Sequence, residues 1–270
     1  MARLPALLIL GVLSGIRLSA ADTGPKPGQV DETTLTVTTG YGVSGLVLWL
    51  AADSGVTLDN NNGANVAALA DKTGNFILTP PDKDLEPTYV PNGLNGRPVL
   101  RFNGNQALYS PDNFGPALDH DMTIIIVGMT TGSSDRQQFP IYLGQNSQPH
   151  VNRSLAYFRG KEMFDGQYVT FFGEPVVTKA FVILGASVNS TLTQATFYRN
   201  GKQIMASNLS TENGDAKFEN PSDGVTMGAA TDPVRNWVGD IAEELVYDRQ
   251  LTPAEMQAVG SLLSNKYGIH

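Results

Sequence analysis

The stretch WVGDIAEELVYDRQLTPAEMQAVGSLLSNKYGI, Trp237–Ile269, joins a strand pattern to a helix pattern and carries four carboxylates in its first twelve positions. Either those acids perform the chemistry of a hydrolase or they belong to a strand that closes a non-catalytic sandwich. Extended backbone alternates its side chains. Trp237, Gly239, Ile241, Glu243, Leu245 and Tyr247 therefore share one face, and Val238, Asp240, Ala242, Glu244 and Val246 the other. The first face is mostly apolar and is expected to point into a core. After Asp248 the period changes. Thr252 can cap a helix, Pro253 fits its first position, and Glu255, three residues after Thr252, completes a capping box. Met256, Val259, Leu263 and Tyr267 recur on one helical face, and Gly268 supplies a stop. Gly260 costs about 1 kcal/mol against Ala inside a helix, so tertiary packing has to hold this element as a lid over the strands.

Upstream, short apolar or alternating runs such as Leu46–Ala51, Val99–Phe102, Ala180–Val188 and Ala195–Arg199 are separated by Gly, Asn, Asp and Pro clusters. Many short strands and almost no helical period predict an all-β fold, a two-sheet antiparallel sandwich with a C-terminal helix. Met122–Met129 is apolar on both parities, as a central strand buried on both faces would be. Asn200-Gly201 is a tight hairpin signal, and Asp59–Gly63 reads as a loop tip.

Residues 1–21 carry Arg3, an apolar run from Leu4 to Ile16, and small residues at Ser19 and Ala21, the pattern of a secretory signal peptide cut before Asp22. The run is shorter than the roughly 20 apolar residues of a membrane span, and Arg17 ends it. Residues 22–44 are expected to be an N-terminal tail or linker with a short strand at Thr34–Thr38, leaving one domain over residues 45–270. Cutting the signal removes Arg3 and Arg17 and takes the formal charge from −8 to −10. An acidic surface repels phosphate backbones and argues against nucleic acid as a partner. No other segment could span a membrane. The chain has no Cys, so the fold rests on core burial, which suits a bacterial exported protein that is secreted, periplasmic or at the cell surface.

Five blocks together, LVLWLAADSGVT (46–57), ADKTGN (70–75), NGRPVLRFNG (95–104), FYRNGK (197–202) and VGDIAEELVYDRQLTPAEMQAVGSLLSNKYGI (238–269), resemble the concanavalin A-like lectin/glucanase superfamily in its laminin-G-like jelly-roll branch. The resemblance covers about residues 45–270 and implies a jelly roll of roughly a dozen strands. Members are often glycan-binding modules, and some branches are glycoside hydrolases or lyases, so the resemblance leaves the activity open.

A retaining glycosidase needs two carboxyls about 5–5.5 Å apart and an inverting one about 6.5–9.5 Å. Asp240 and Glu244, four positions apart on one strand face, would lie roughly 13 Å apart. Asp240 and Glu243 fall on opposite faces unless a bulge intervenes. The Glu-x-Asp-x-x-Glu string of laminarinase-type members is absent. No catalytic residue is therefore assigned, and Glu243, an acid on the core-facing stripe, is expected to be neutralised by Arg101 or Arg97. His120, in Leu118-Asp119-His120-Asp121, lacks companions at zinc-site spacing. Laminin-G-like and lectin jelly rolls often bind calcium, for which Asp53, Asp59, Asn61 and Asp71 are weak candidates; the simpler reading is that such residues make turns. Sugar binding pairs aromatic platforms with hydrogen-bonding side chains, and Arg153, Tyr157, Arg159, Tyr168 and Phe172 are the candidates in the middle strands. Trp49 and Trp237 are expected in the core. The expected function is that of a non-enzymatic, lectin-like protein binding a polysaccharide, a glycan or another surface component. The alternatives are a polysaccharide-degrading enzyme and an adhesion module with a protein partner.

Overall fold

The structure, a computed structural model, describes residues 38–60, 62–112, 121–133, 135–144, 152–166, 169–208, 224–230 and 235–270. The expected signal sequence, most of the expected tail, Asn61, His120 and Tyr168 lie outside these residues. The first strands are β1 (Thr38–Gly40), β2 (Val43–Ala51), β3 (Val56–Asp59), β4 (Asn62–Ala70), β5 (Ile77–Leu78) and β6 (Thr88–Leu94). Next come β7 (Arg97–Asn103), β8 (Leu108–Ser110), β9 (Met122–Thr130), β10 (Ile141–Gly144), β11 (Asn152–Phe158) and β12 (Lys161–Gly166). The last are β13 (Val169–Pro175), β14 (Val182–Val188), β15 (Gln194–Arg199), β16 (Lys202–Asn208), β17 (Val225–Met227) and β18 (Val238–Tyr247), followed by the helix α1 (Pro253–Tyr267). Strands β1 and β2 thus begin ahead of Gly45, inside the span read as a tail.

These strands form two antiparallel sheets. The larger has twelve strands, ordered β16-β15-β14-β9-β18-β7-β6-β4-β3 with β2 also on β18, β1 on β2 and β5 on β4. The smaller runs β13-β12-β11-β10-β17-β8. Strand β18 is the junction. One edge pairs with β9 along its length, while the other pairs first with β7, through Val238–Ile241, and then with β2, through Glu243–Tyr247.

The strict alternation expected along β18 does not hold, because the register against β9 shifts between Ile241 and Glu243. Ala242 is the extra residue of a β-bulge, and a bulge reverses which face later residues take. Trp237, Ile241 and Val246 therefore lie in the core between the sheets, with Leu48, Phe102, Ile124, Phe164 and Phe197. Leu245 and Tyr247 lie in a second core on the outer face, with Leu46, Ile125, Val127 and the helix residues Met256, Val259, Leu263 and Tyr267. Strand β9 feeds both cores through successive residues, which explains why its sequence is apolar on both parities.

Helix α1 has the expected cap. Thr252 Oγ1 accepts from the Glu255 amide at 3.3 Å, and the Glu255 carboxylate accepts from the Thr252 amide at 2.8 Å. Two Asn-Gly hairpin turns hold the helix down. Asn95 Nδ2 donates to the Tyr267 carbonyl at 2.7 Å, answering an acceptor left open at the helix end. At the other turn Gly201 and Gly260 meet backbone to backbone, where a Cβ on Gly260 would stand 2.3 Å from Gly201 Cα. That contact is why a glycine occupies the helix interior.

Glu243 ties these layers together, and its partners are neither Arg101 nor Arg97. It is fully buried, facing the helix. Its Oε1 accepts from Tyr41 Oη at 2.8 Å and from Trp49 Nε1. Its Oε2 accepts from Lys266 Nζ at 2.8 Å and from Tyr267 Oη at 2.7 Å. Burial and the Glu243 charge raise the Tyr41 and Tyr267 phenols above their ordinary value, so both remain donors. Arg97 instead lies 3.8 Å from Asp53, which also pairs with Lys266 at 3.0 Å. Trp49 is half-buried on this outer side, with Lys72 Nζ 3.6 Å above its ring, rather than in the inter-sheet core.

Two stability measurements check this account. Glu243→Gln removes the buried charge that answers Tyr41, Trp49, Lys266 and Tyr267 together and is expected to lower unfolding free energy in urea by about 3–5 kcal/mol. Gly260→Ala, which in a free helix would stabilise, is expected to destabilise by about 1–3 kcal/mol, because the added methyl overpacks the Gly201 contact.

Candidate functional site

Two of the four acids that raise the question of catalysis, Asp240 and Glu243, are engaged in structural pairs. Asp240, on the outer face, is 2% exposed and takes a bidentate pair from Arg101, Nε at 2.7 Å and Nη2 at 2.8 Å. The bulge places Asp240 and Glu243 toward the same outer side, yet each is already engaged by its own donors. A trough of about 360 Å³ runs over Val238 and Asp240 between Arg101 and Asn103 on one wall and Met129 and Thr131 on the other. Its opposite charges, Arg101 and Asp240, neutralise each other.

The smaller sheet has a different outer face. Its inward residues, among them Ile141, Leu143, Leu155, Phe164, Val169, Phe171, Val225 and Met227, fill the inter-sheet core. The alternating residues therefore look outward. In register, one from each strand forms a transverse row: Tyr109 of β8, Thr226 of β17, Tyr142 of β10, Ser154 of β11, Asp165 of β12 and Thr170 of β13. All six carry hydrogen-bonding groups, and at strand spacings of about 4.8 Å the row crosses roughly 24 Å. Thr170 Oγ1 donates to Asp165 Oδ1 at 2.9 Å, and Asn152 Nδ2 donates to Ser154 Oγ at 2.9 Å. Most of the row is buried. Polar side chains collected on the outward face of a sheet need a reason other than core formation.

Beside the row the same face turns aromatic. Phe172 and Phe158 stack with centroids 6.5 Å apart, and Arg159 Cζ lies 4.9 Å over the Phe158 ring. Phe158 and Phe172 are half-buried and Arg159 is exposed, so they form an accessible margin. Phe172 and Thr170 are alternate residues of β13, as Met163 and Asp165 are of β12, which brings the margin next to the polar row.

The five sugar-binding candidates from the sequence divide accordingly. Arg159 and Phe172 come together on this face. Arg153 and Tyr157 share the parity of Leu155 and point between the sheets; Arg153 is 1% exposed, and Tyr157 packs 5.4 Å from the Trp237 ring. Side chains so placed cannot meet a ligand on the sheet surface. Tyr168 lies outside the described residues. Tyr109, Tyr142, Ser154, Asp165, Thr170 and Thr226 were not singled out from sequence. The alternation of Asn152, Ser154 and Ala156 against Arg153, Leu155 and Tyr157 was a usable signal within one strand, but the row emerges only from cross-strand register.

The calcium candidates within the described residues, Asp53, Asp59 and Asp71, are occupied by protein donors. Asp71 accepts from the amides of Trp49 at 2.7 Å and Thr73 at 3.1 Å through Oδ1, and from the amide of Asn75 at 3.1 Å through Oδ2, the pattern of a turn-forming aspartate. Asp59 pairs with Lys83 at 3.0 Å and Asp53 with Lys266 at 3.0 Å. Among the described residues no group of three or more His, Cys, Asp or Glu could hold a metal ion.

One titratable group bridges the sheets. Glu162 of β12, 1% exposed, takes Arg199 of β15 through Nε at 3.0 Å and through Nη2. Burial pushes its carboxyl up to about 7, against the pull of Arg199. A folded value above the unfolded 4.5 means that its stabilising contribution is full below 4.5 and is lost as pH rises through about 7. Glu162→Gln is thus expected to flatten the fall of stability across that window, measured as urea midpoints at a series of pH values.

No protein-family model and no curated protein matches the sequence. Solved structures do match. Trypanosoma rangeli sialidase in complex with sialic acid superimposes with a TM-score of 0.56 at 13% identity, over 87% of this chain and 36% of the sialidase. The chain thus spans about a third of that enzyme's length. Domain 4 of AbnA, a GH43 extracellular arabinanase from Geobacillus stearothermophilus in complex with arabinotriose, gives a TM-score of 0.56 at 20% identity, over 80% of this chain and 98% of the domain. The protein has the antiparallel β-sandwich fold found in these carbohydrate-active proteins.

Proposed function

We propose that the protein is an exported, non-enzymatic glycan-binding protein of the laminin-G-like branch, and that it reads its ligand on the outer face of the six-stranded sheet. The observation that carries this reading is the accessible margin of Phe158, Phe172 and Arg159, which borders the mostly buried row of hydrogen-bonding side chains from Tyr109 to Thr170. Pyranose rings present apolar faces and polar edges, which stacked phenyl rings next to carboxylate and hydroxyl groups complement. The fold likeness to a sialidase solved with sialic acid and to an arabinanase domain solved with arabinotriose supports a saccharide as the ligand class. Binding is favoured over hydrolysis because the row contributes one carboxylate, Asp165, whereas glycosidic cleavage ordinarily takes two. The signal-like residues 1–21 support a destination that is secreted, periplasmic or at the cell surface.

A glycan array probed with residues 22–270, with and without calcium, tests the reading, alongside assays of the same polysaccharides for new reducing or unsaturated ends. Saccharide binding without new ends is expected, weakened about tenfold or more by Phe172→Ala or Arg159→Ala with thermal stability retained, since lost stacking or a lost charge-assisted hydrogen bond costs about 1.5–3 kcal/mol. New ends would overturn the non-enzymatic reading.

A further inference from the structure

Two neighbouring glutamates of β18 have opposite surroundings. Glu243 on the helix side has four donors, whereas Glu244 is fully buried on the other side of the strand and neither of its carboxyl oxygens has a partner among the described residues. In register Glu244 lies between Leu50 of β2 and Ile126 of β9, and two residues on Val246 lies between Leu48 and Ile124. All five neighbours belong to the inter-sheet core.

Among the described residues nothing charged answers this carboxyl from the elements packed around it. Strands β2 and β9 contain no titratable residue. The titratable groups on the facing inner side of the smaller sheet are Arg153, Tyr157 and Glu162. Arg153 Nη1 donates to the Asn152 carbonyl at 3.1 Å, Glu162 pairs with Arg199, and Tyr157 feels Glu162 and Arg199. Burial alone acts on Glu244, and it raises the carboxyl well above its ordinary range.

We propose that Glu244 is carried in the folded protein as a neutral carboxylic acid, and that its ionisation is an alkaline trigger that prises β18 out of the sandwich. A carboxylate among hydrocarbon side chains is too costly to keep dry, so the ionised form requires water to reach it. The strand that must yield is the one that pairs with β9, β7 and β2 and carries the Glu243 cluster on its other side. Opening there disturbs both cores together. The sign follows from proton linkage: with the folded value raised, stability is full below the unfolded value and declines as pH rises through the folded one.

Thermal unfolding of the wild type, Glu244→Gln, Glu244→Met and Glu162→Gln from about pH 5 to 10 tests the trigger. Between the unfolded carboxyl value and the raised folded one, the wild-type Tm is expected to fall by about 3–5 °C per pH unit from this group, and the slope to level off once Glu244 has lost its proton. Glu244→Gln and Glu244→Met are expected to lack that component, and Glu162→Gln to retain it above neutrality. Infrared difference spectra at neutral pH should show a protonated carboxylic acid band in the wild type that Glu244→Gln loses. Equal pH slopes in the wild type and both Glu244 variants, or an unchanged acid band, would overturn the proposal. So would failure of both variants to fold, because a neutral acid should be replaceable by a neutral side chain of similar size.

Discussion

A carboxylate without solvent on the central strand of a sheet is the constraint around which this molecule is organised. Glu243 has no exposure, so its two oxygens must be met by donors from inside the protein. Those donors come from distant parts of the chain: Tyr41 in the β1–β2 turn, Trp49 in β2, and Lys266 and Tyr267 at the end of the helix. The helix is therefore integral to the sandwich. Its last turn completes an ion cluster that also includes Asp53, and its position is fixed further by two hairpin turns from separate parts of the large sheet.

The bulge at Ala242 lets β18 serve both layers. Before it, the inward residue is Ile241; after it, the inward residues are Glu244 and Val246, while Glu243, Leu245 and Tyr247 face the helix. The large sheet is thus committed to packing on both of its faces around β18. The small sheet has an apolar inner face, and its outer face carries hydroxyl, amide, carboxyl and phenyl groups. Architecture and candidate recognition surface are separated by the thickness of the sandwich.

Much of the fold could be read from the residues because local rules and tertiary structure agree. The capping box at Thr252, the left-handed stop at Gly268, the Asn200-Gly201 hairpin and the two-faced burial of β9 each follow from short-range chemistry. What could not be read depends on register. A single extra residue at Ala242 changes which acid points where, and no residue type marks it. Arg153 and Tyr157 look like ligand contacts by composition, yet parity turns them inward. The row on the outer face joins residues from Tyr109 to Thr226, and pairing across six strands leaves no trace in the order of the chain. Gly260 reads as a defect in a helix until Gly201 is found against it.

The place of β18 in the sheet also sets an order on assembly. Its edges are the pairing partners of β9 on one side and of β7 and β2 on the other, yet β18 begins only at Val238. Without that segment the large sheet falls into three pieces, β16-β15-β14-β9, β7-β6-β4-β3 with β5, and β1-β2, whose edges toward β18 offer unpaired amides and carbonyls to any neighbouring strand. Closure joins residues about two hundred positions apart, such as Trp49 and Leu245, so the entropy of a very long loop is lost before the central contacts form. The chain is consequently most open to strand exchange and aggregation just before its last strand inserts, and insertion of β18 with its helix is the event that seals it.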